Sequence, residues 1–255
     1  MLLRLSHVSI AYPERRRGLA GALGATEPRR VVHDVSFELD EGETLALVGE
    51  SGCGKTTLAR AIMGLVPVEE GTIALDAAAT RGDGSVRPAQ MVFQDPFASL
   101  NPRLTVLDLV TEAAVAHGLV PRARRRERAR ELLADVGLPG DILDRYPHAF
   151  SGGQRQRLNI ARALSLDPRL LVCDEPVSAL DVSVQAQVLN LLADLRATRR
   201  LAMLFISHDI AVVRHVADRV AVMRHGRIVE LGDAGQVLDR PAHPYTQSLL
   251  AACLD

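Results

Sequence analysis

Apolar and polar residues follow two different periods in the first part of the chain. They alternate from Leu2 to Ile10 and again from Val31 to Leu39, which predicts two strands of the edge type. Thr44 to Val48 is a short apolar run that leads into a glycine-rich turn, and a helical period follows from Lys55 to Met63. The residues from Pro13 to Arg30 have no apolar period and are rich in Arg, Gly and Ala, so they predict a loop.

The middle of the chain has a helical period, which runs from Thr105 to about Arg145. Within it, Arg122 to Arg130 contains six arginines, and Glu127 and Glu131 lie at spacings that allow ion pairs one helical turn away. We interpret this segment as an exposed helix whose charges pair with one another. A further helix is predicted from Ser151 to Leu166.

Short apolar runs alternate with helical periods in the rest of the chain. The predicted strands are Ile73–Leu75, Met91–Phe93, Leu170–Cys173, Ala202–Ile206 and Arg219–Met223, and the predicted helices are Val182–Arg196 and Ile210–Ala217. This alternation indicates an α/β fold with a largely parallel sheet covered on both faces. We expect one domain over residues 1–255, in which a helical subdomain at 96–166 interrupts a core formed by 1–95 and 167–255.

Composition and charge exclude several classes of function. The 255 residues are 47% hydrophobic, which suits one globular domain with a full core. The chain has 30 basic and 31 acidic residues, and this net charge of -1 offers no support for binding a nucleic-acid backbone. No apolar run approaches the roughly 18 to 20 residues that a membrane span needs, and the start of the chain lacks the apolar block of a signal peptide. Cys53, Cys173 and Cys253 have no metal-ligand spacing, so we interpret them as reduced thiols of a cytoplasmic protein.

A glycine-rich loop follows the apolar run at Thr44 to Val48 and fits the pattern G-x-x-x-x-G-K-[ST]. Glycines allow backbone N–H groups to surround phosphate oxygens, and the following helix adds its positive N-terminal end. Lys55 would reach the β- and γ-phosphates and the Thr56 hydroxyl would bind Mg²⁺. The predicted nucleotide-binding residues of this loop are Gly49, Glu50, Ser51, Gly52, Cys53, Gly54, Lys55, Thr56 and Thr57. The alternatives are a glycine turn with a chance lysine and, for Cys53, a redox sensor rather than a small filler residue.

Two carboxylates end the apolar run that begins at Leu170. Asp174 would lie at the carboxyl end of a strand beside the phosphate loop, where it could hold Mg²⁺ directly or through water. Alternation along the strand would turn Glu175 elsewhere, toward a water in line with the γ-phosphate, so Glu175 is the candidate general base.

A second candidate anion site is the turn Ser151, Gly152, Gly153 and Gln154, which opens a helix. By itself this turn predicts only a serine N-cap followed by flexible glycines. Its hydroxyl and free N–H groups could also bind phosphate, but one phosphate chain cannot occupy two distant sites in one subunit. The two sites together predict two chains that meet head to tail, each covering the ATP of the other.

These motifs, in this order, resemble the motif set of the ABC ATPases. The resemblance implies a RecA-like P-loop core with an antiparallel β edge and an inserted α-helical subdomain, and ATP with Mg²⁺ as cofactors. It implies that Gln94 senses Mg²⁺ and water, that Ser151 to Gln154 acts across a dimer and that Asp181 links the two sites. His208 is similar to a histidine that contacts the γ-phosphate, and Tyr12 to an aromatic residue that stacks on adenine.

Further segments resemble the ATPases of oligopeptide, dipeptide and nickel importers. They are Phe93–Arg103, Tyr146–His148, Pro176–Gln187 and His243–Thr246. The resemblance implies a second ATPase subunit, like or unlike, two integral membrane permeases and, indirectly, a periplasmic or extracellular solute-binding protein. It places the chain at the cytoplasmic face of the inner membrane. We expect the permeases to dock on the helical insert near Gln94 to Arg145, because phosphate chemistry does not need this part of the chain, with Phe97 and Leu100 at the contact.

The sequence departs from these relatives in three ways. The segment 76–90 is shorter than in most relatives, and Phe150 stands where leucine is commoner. The sequence ends at Asp255, where many relatives continue into a cysteine-bearing tail that can hold an iron–sulfur cluster. Cys253 alone cannot hold such a cluster, so we expect none. Two other functions remain as alternatives: an ABC ATPase subunit of a soluble metabolic complex similar to carbon–phosphorus lyase, and an ABC protein that acts on nucleic acid or the ribosome. The second usually requires two cassettes, coiled coils or zinc modules in one chain.

Overall fold

The computed structural model describes residues 1–12, 29–76 and 88–252, without the side chains of Pro96 and Phe97. The strands are β1 Leu3–Tyr12, β2 Arg29–Leu39, β3 Thr44–Val48, β4 Glu70–Leu75, β5 Ala89–Val92, β6 Leu170–Asp174, β7 Ala202–Ile206, β8 Arg219–Arg224 and β9 Arg227–Asp233. The helices are α1 Lys55–Ile62, α2 Pro96–Ser99, α3 Val106–Ala116, α4 Arg125–Asp135, α5 Gly152–Leu164, α6 Val182–Arg199, α7 Ile210–Val216, α8 Ala234–Asp239 and α9 Pro244–Ala251.

Six strands form the central sheet in the order β5-β6-β7-β3-β8-β9. All neighbouring pairs are parallel except β8 and β9, which are antiparallel. The predicted parallel sheet is therefore confirmed. Alternate residues of one strand face different cores: Leu170 and Val172 of β6 belong to one apolar cluster, whereas Leu171 and Cys173 belong to another. Because β6 is buried on both faces, its sequence is a continuous apolar run rather than an alternating one.

A second, antiparallel sheet has the order β2-β1-β4. The interpretation of Leu2 to Ile10 as an edge strand is wrong, because β1 is the middle strand and pairs with both β2 and β4. Alternation reports that one face of a strand is buried, but it does not report how many neighbours the strand has. The predicted loop at Pro13 to Arg30 lies outside the described residues except for Arg29 and Arg30, which already belong to β2.

The helical period in the middle of the chain forms α3 and α4, and the helix predicted from Ser151 is α5. These three helices pack against one another. The predicted ion pairs are present, since Arg124 binds Glu127 at 2.9 Å and Arg128 binds Glu131 at 3.0 Å. The expectation that Leu100 lies on a docking surface is wrong. Leu100 is only 2% exposed and belongs to the apolar core that these helices share with one face of the sheet.

Candidate functional site

The phosphate loop joins β3 to α1 and is shaped by close backbone packing. Gly49 has a φ of 148°, and a Cβ at this position would overlap the carbonyl oxygen of Met223 on β8. Only glycine tolerates both conditions. The loop therefore lies against the neighbouring strand from its first residue.

Lys55 is held inside the loop. Its side chain is buried, with 6% of the residue exposed, and its Nζ donates to the carbonyl oxygens of Gly49 at 2.7 Å and Glu50 at 2.9 Å. Neutral carbonyls solvate the ammonium group without neutralising its charge, which leaves a positive charge at the centre of the loop. This arrangement suits an anion.

Thr56 and Asp174 meet beside the loop. The Thr56 hydroxyl donates to Oδ1 of Asp174 at 3.1 Å, and Asp174 is 6% exposed. Burial raises the pKa of Asp174 above its usual range, and the charge of Glu175 adds to this effect, although Thr56, Arg60 and Lys55 oppose it. The neighbouring hydroxyl and basic groups do not fully offset the cost of burying the Asp174 charge. A site with oxygen ligands and such a carboxylate suits a hard divalent cation such as Mg²⁺.

Glu175 does not continue the strand. β6 ends at Asp174 and Glu175 has a φ of 48°, so the alternation proposed from the sequence does not determine where its side chain lies. Its two carboxylate oxygens have different partners. Gln94 donates its Nε2 to Oε2 at 2.8 Å, and His208 Nδ1 lies 3.1 Å from Oε1. The sequence did not predict that Gln94 and His208 hold the same carboxylate.

The order of the strands explains why these residues meet. Gln94 follows β5, Glu175 follows β6, His208 follows β7 and the phosphate loop follows β3, and these four strands are consecutive neighbours in the sheet. Because the four strands are parallel, their carboxyl ends lie along one edge. A cavity of about 450 Å³ at this edge is lined by Thr56, Gln94 and Asp174, among others.

The serine–glycine turn, Ser151 to Gln154, opens α5, and the N–H groups of its first and last residues are paired within the turn. The Ser151 hydroxyl accepts from the N–H of Gln154, and the Gln154 side chain accepts from the N–H of Ser151 at 3.1 Å, which is a capping box. A Cβ on Gly153 would overlap Val184 of α6. This glycine thus has a packing role that the sequence did not reveal.

Three predicted binding residues lie in other environments. Asp181 is exposed at the start of α6, and its side chain makes no capping hydrogen bond. Tyr12 is the last residue of β1, pairs with Arg29 and is 37% exposed. Cys53 is buried in the apolar cluster beneath the loop, which supports the interpretation as a small filler residue.

Sequence reasoning missed one contact to the phosphate loop. Tyr245 of α9 accepts a hydrogen bond from the backbone N–H of Glu50 through its phenolic oxygen, at 3.3 Å. Neither β9, α8 nor α9 was predicted as an element. The only signal was the resemblance of His243 to Thr246 to a segment of the peptide importers, which carried no structural assignment.

Comparison of the sequence with known proteins identifies its family. The sequence profile of the family described as "ABC transporter" matches residues 32–178. The probable D,D-dipeptide transport ATP-binding protein DdpF of Escherichia coli K12 is 50% identical over 249 residues, which cover 98% of this chain and 78% of that protein. The oligopeptide transport ATP-binding protein OppF of Bacillus subtilis 168 is 48% identical over 231 residues, covering 88% and 76%.

Two solved structures share the fold at 26% sequence identity each. CbiO1 from Clostridium perfringens, part of the ABC transporter complex cbiONQ, has a TM-score of 0.77, covering 94% of this chain and 91% of that one. The dimeric ATP-binding cassette MJ0796, bound to ADP and Pi in a post-hydrolysis state, has a TM-score of 0.74, covering 91% and 99%. No helix in the described ranges is long and apolar enough to cross a membrane. The chain belongs to the ABC transporter family and is one of its nucleotide-binding ATPases.

Proposed function

We propose that this chain hydrolyses ATP to drive the import of peptides or similar solutes through two separate integral permeases. The Escherichia coli and Bacillus subtilis relatives, at 50% and 48% sequence identity, are named as dipeptide and oligopeptide transport proteins, which supports peptide transport over a soluble metabolic complex. The proposal places the chain peripherally at the cytoplasmic face of the inner membrane. A periplasmic or extracellular solute-binding protein would deliver the solute to the permeases.

In this proposal the phosphate loop, Gly49 to Thr57, binds the phosphates of ATP around Lys55. Thr56, Asp174 and the amide oxygen of Gln94 would hold Mg²⁺, which supplies charge neutralisation to the phosphate oxygens when bound. The Thr56–Asp174 hydrogen bond keeps both oxygen ligands in position before nucleotide arrives. Tyr12 would stack on adenine from the end of β1.

The observation that carries the proposal is the Glu175 carboxylate, held from both sides by Gln94 and His208. A carboxylate fixed at two oxygens can accept a proton from water without first reorganising. Gln94 and His208 orient this base. The His208 side chain is 62% exposed, so its other ring nitrogen would be accessible to a γ-phosphate while Nδ1 stays on Glu175. The proton removed from the attacking water would pass to Glu175.

Completion of the site would require a second cassette. Ser151 to Gln154 begins a helix in the inserted subdomain, residues 96–166, whereas the phosphate loop belongs to the core, residues 1–95 and 167–255. The dimeric state of the similar cassette MJ0796 supports a pair of cassettes, and a head-to-tail arrangement would bring the turn of each chain to the phosphate loop of the other. Asp181, exposed at the start of α6, would lie between the two sites. The partner subunit would be either a second copy or an unlike ATPase.

The test is Glu175→Gln, which keeps the hydrogen bond to Gln94 in modified form but cannot accept a proton. ATP hydrolysis should fall by about 10²- to 10⁴-fold, while equilibrium binding of ATP stays within about twofold and a dimer accumulates on size-exclusion chromatography with ATP. Full hydrolysis in this variant would remove Glu175 from the role of base.

The transport part of the proposal needs a separate test. Affinity purification of the tagged parent chain from detergent-solubilised membranes should recover two integral membrane proteins. Recovery of soluble enzyme subunits alone would instead favour the metabolic complex.

A further inference from the structure

The C-terminal helix is anchored beside the nucleotide edge of the sheet. Glu230 of β9 accepts hydrogen bonds from the backbone N–H groups of Ala242 at 2.8 Å and His243 at 3.1 Å. His243 in turn caps the helix, because its Nδ1 accepts from the N–H of Tyr245 at 3.1 Å. These three hydrogen bonds therefore fix where α9 starts, and with it where the Tyr245 side chain lies.

Tyr245 packs against β3, which precedes the phosphate loop, and against its neighbour β8. Its residue is 7% exposed and belongs to the same apolar cluster as Val48, the last residue of β3. The guanidinium group of Arg224 lies over the ring, 4.6 Å from its centroid. Burial raises the pKa of Tyr245 above its usual value, so the phenol remains a neutral hydroxyl.

The hydroxyl of Tyr245 and the ammonium of Lys55 bind opposite sides of a single peptide group. The N–H of Glu50 and the carbonyl of Gly49 belong to the same planar unit. The N–H donates to Tyr245 at 3.3 Å, and the carbonyl accepts from Lys55 at 2.7 Å. The ψ of a glycine is less restricted than that of other residues, so these two bonds contribute to the orientation of the peptide that follows Gly49.

We propose that Tyr245 is a positioning residue of the nucleotide site, which fixes the Gly49–Glu50 peptide so that the Gly49 carbonyl holds Lys55 in the centre of the phosphate loop. The inference rests on the proposed role of that loop in binding ATP. It makes α9 part of the ATPase machinery through a contact with the backbone of the phosphate loop. A cavity of about 310 Å³ opens beside the contact, so water can replace the hydroxyl and the expected effect is moderate.

The test is Tyr245→Phe, which removes the hydroxyl and keeps the ring against Arg224. The Kd for Mg-ATP, titrated on the full chain well below its melting temperature, should rise about three- to tenfold, the size of one lost hydrogen bond. The KM for ATP should rise by the same factor with kcat within about twofold. The matched control is Tyr146→Phe. Tyr146 is exposed and stacks on His148, and among the described residues its side chain has no hydrogen bond to the phosphate loop.

Hydrogen exchange measured by NMR supplies an independent readout. The Glu50 amide should be protected in the nucleotide-free parent and should lose protection in Tyr245→Phe but not in Tyr146→Phe. An unprotected Glu50 amide in the parent overturns the inference even if the variant does not fold. An unchanged Kd despite lost protection also overturns it, as does a raised Kd with protection intact.

Lys55→Ala separates the failure of this inference from failure of the proposed function. If Lys55→Ala loses ATP binding and Tyr245→Phe binds as the parent does, only the positioning role is wrong. If Lys55→Ala also binds ATP normally, the loop is not the nucleotide site and both proposals fail.

Discussion

The two candidate phosphate-binding turns of this chain differ in how their polar groups are paired when no ligand is bound. The serine–glycine turn, Ser151 to Gln154, closes on itself through a reciprocal capping box. The phosphate-loop region instead contains the Lys55 ammonium, which donates to two carbonyl oxygens and to the Cys53 Sγ at 3.8 Å. It also contains the carboxylate of Asp174, whose pKa is raised by burial. One turn is built to be stable alone, and the other retains charge that a ligand can satisfy. We therefore expect the phosphate loop to bind nucleotide in a single chain, whereas the serine–glycine turn should affect ATP hydrolysis only when two chains close together.

The largest expected effect contrasts one substitution in each turn. Lys55→Ala should weaken ATP binding to the single chain by about 100-fold or more, because the buried positive charge is lost. Ser151→Ala should leave that binding unchanged within about twofold, yet lower ATP hydrolysis by the assembled dimer about 10- to 100-fold. Titration calorimetry on the single chain and steady-state hydrolysis on the dimer measure the two effects. Weaker binding to the isolated Ser151→Ala chain would contradict the comparison.

A smaller effect concerns the packing of the serine–glycine turn. Gly153→Ala should lower the free energy of unfolding by about 1 to 3 kcal/mol, because the new Cβ overlaps Val184. Gly152→Ala is the matched control, since its Cβ would lie 3.5 Å from the Leu180 side chain, an ordinary contact. Chemical denaturation measures both. Equal stability of the two variants would show that α5 and α6 adjust and that Gly153 has no packing role.

The smallest expected effect is a gain in stability on the phosphate-loop side. The folded-state pKa of Asp174 is raised, chiefly by burial, so its contribution to stability is present at low pH and is lost as the pH rises through the folded pKa. Asp174→Asn still accepts from Thr56 but carries no charge. The melting temperature of the nucleotide-free variant should therefore exceed that of the parent by about 2 to 4 °C at pH 7.

The pH dependence provides the control for this prediction. The gain in melting temperature should shrink as the pH is lowered, because the parent carboxyl then becomes protonated as well. A melting temperature below that of the parent at pH 7 would show that attraction to Lys55 and Arg60 outweighs the cost of burial.

Local patterns predicted some elements well and others not at all. β3 and β7 begin and end at the predicted residues, because strands buried on both faces give unbroken apolar runs. β9 was missed, since its residues are half-buried or exposed and charged positions interrupt the run. α8 and α9 are short helices with three and two buried residues respectively, too few for a clear helical period.

Local sequence was sufficient to recognise the chemistry of this protein: the phosphate loop, Asp174 at the end of β6 with Glu175 after it, the capped turn and the family that their order indicates. Only the tertiary structure decided which side chains share a partner. The contacts of Glu175 with Gln94 and His208, and of Tyr245 with Glu50, join residues far apart in the chain. Strand order and backbone dihedrals create these contacts, and neither is encoded in a local period of apolar residues.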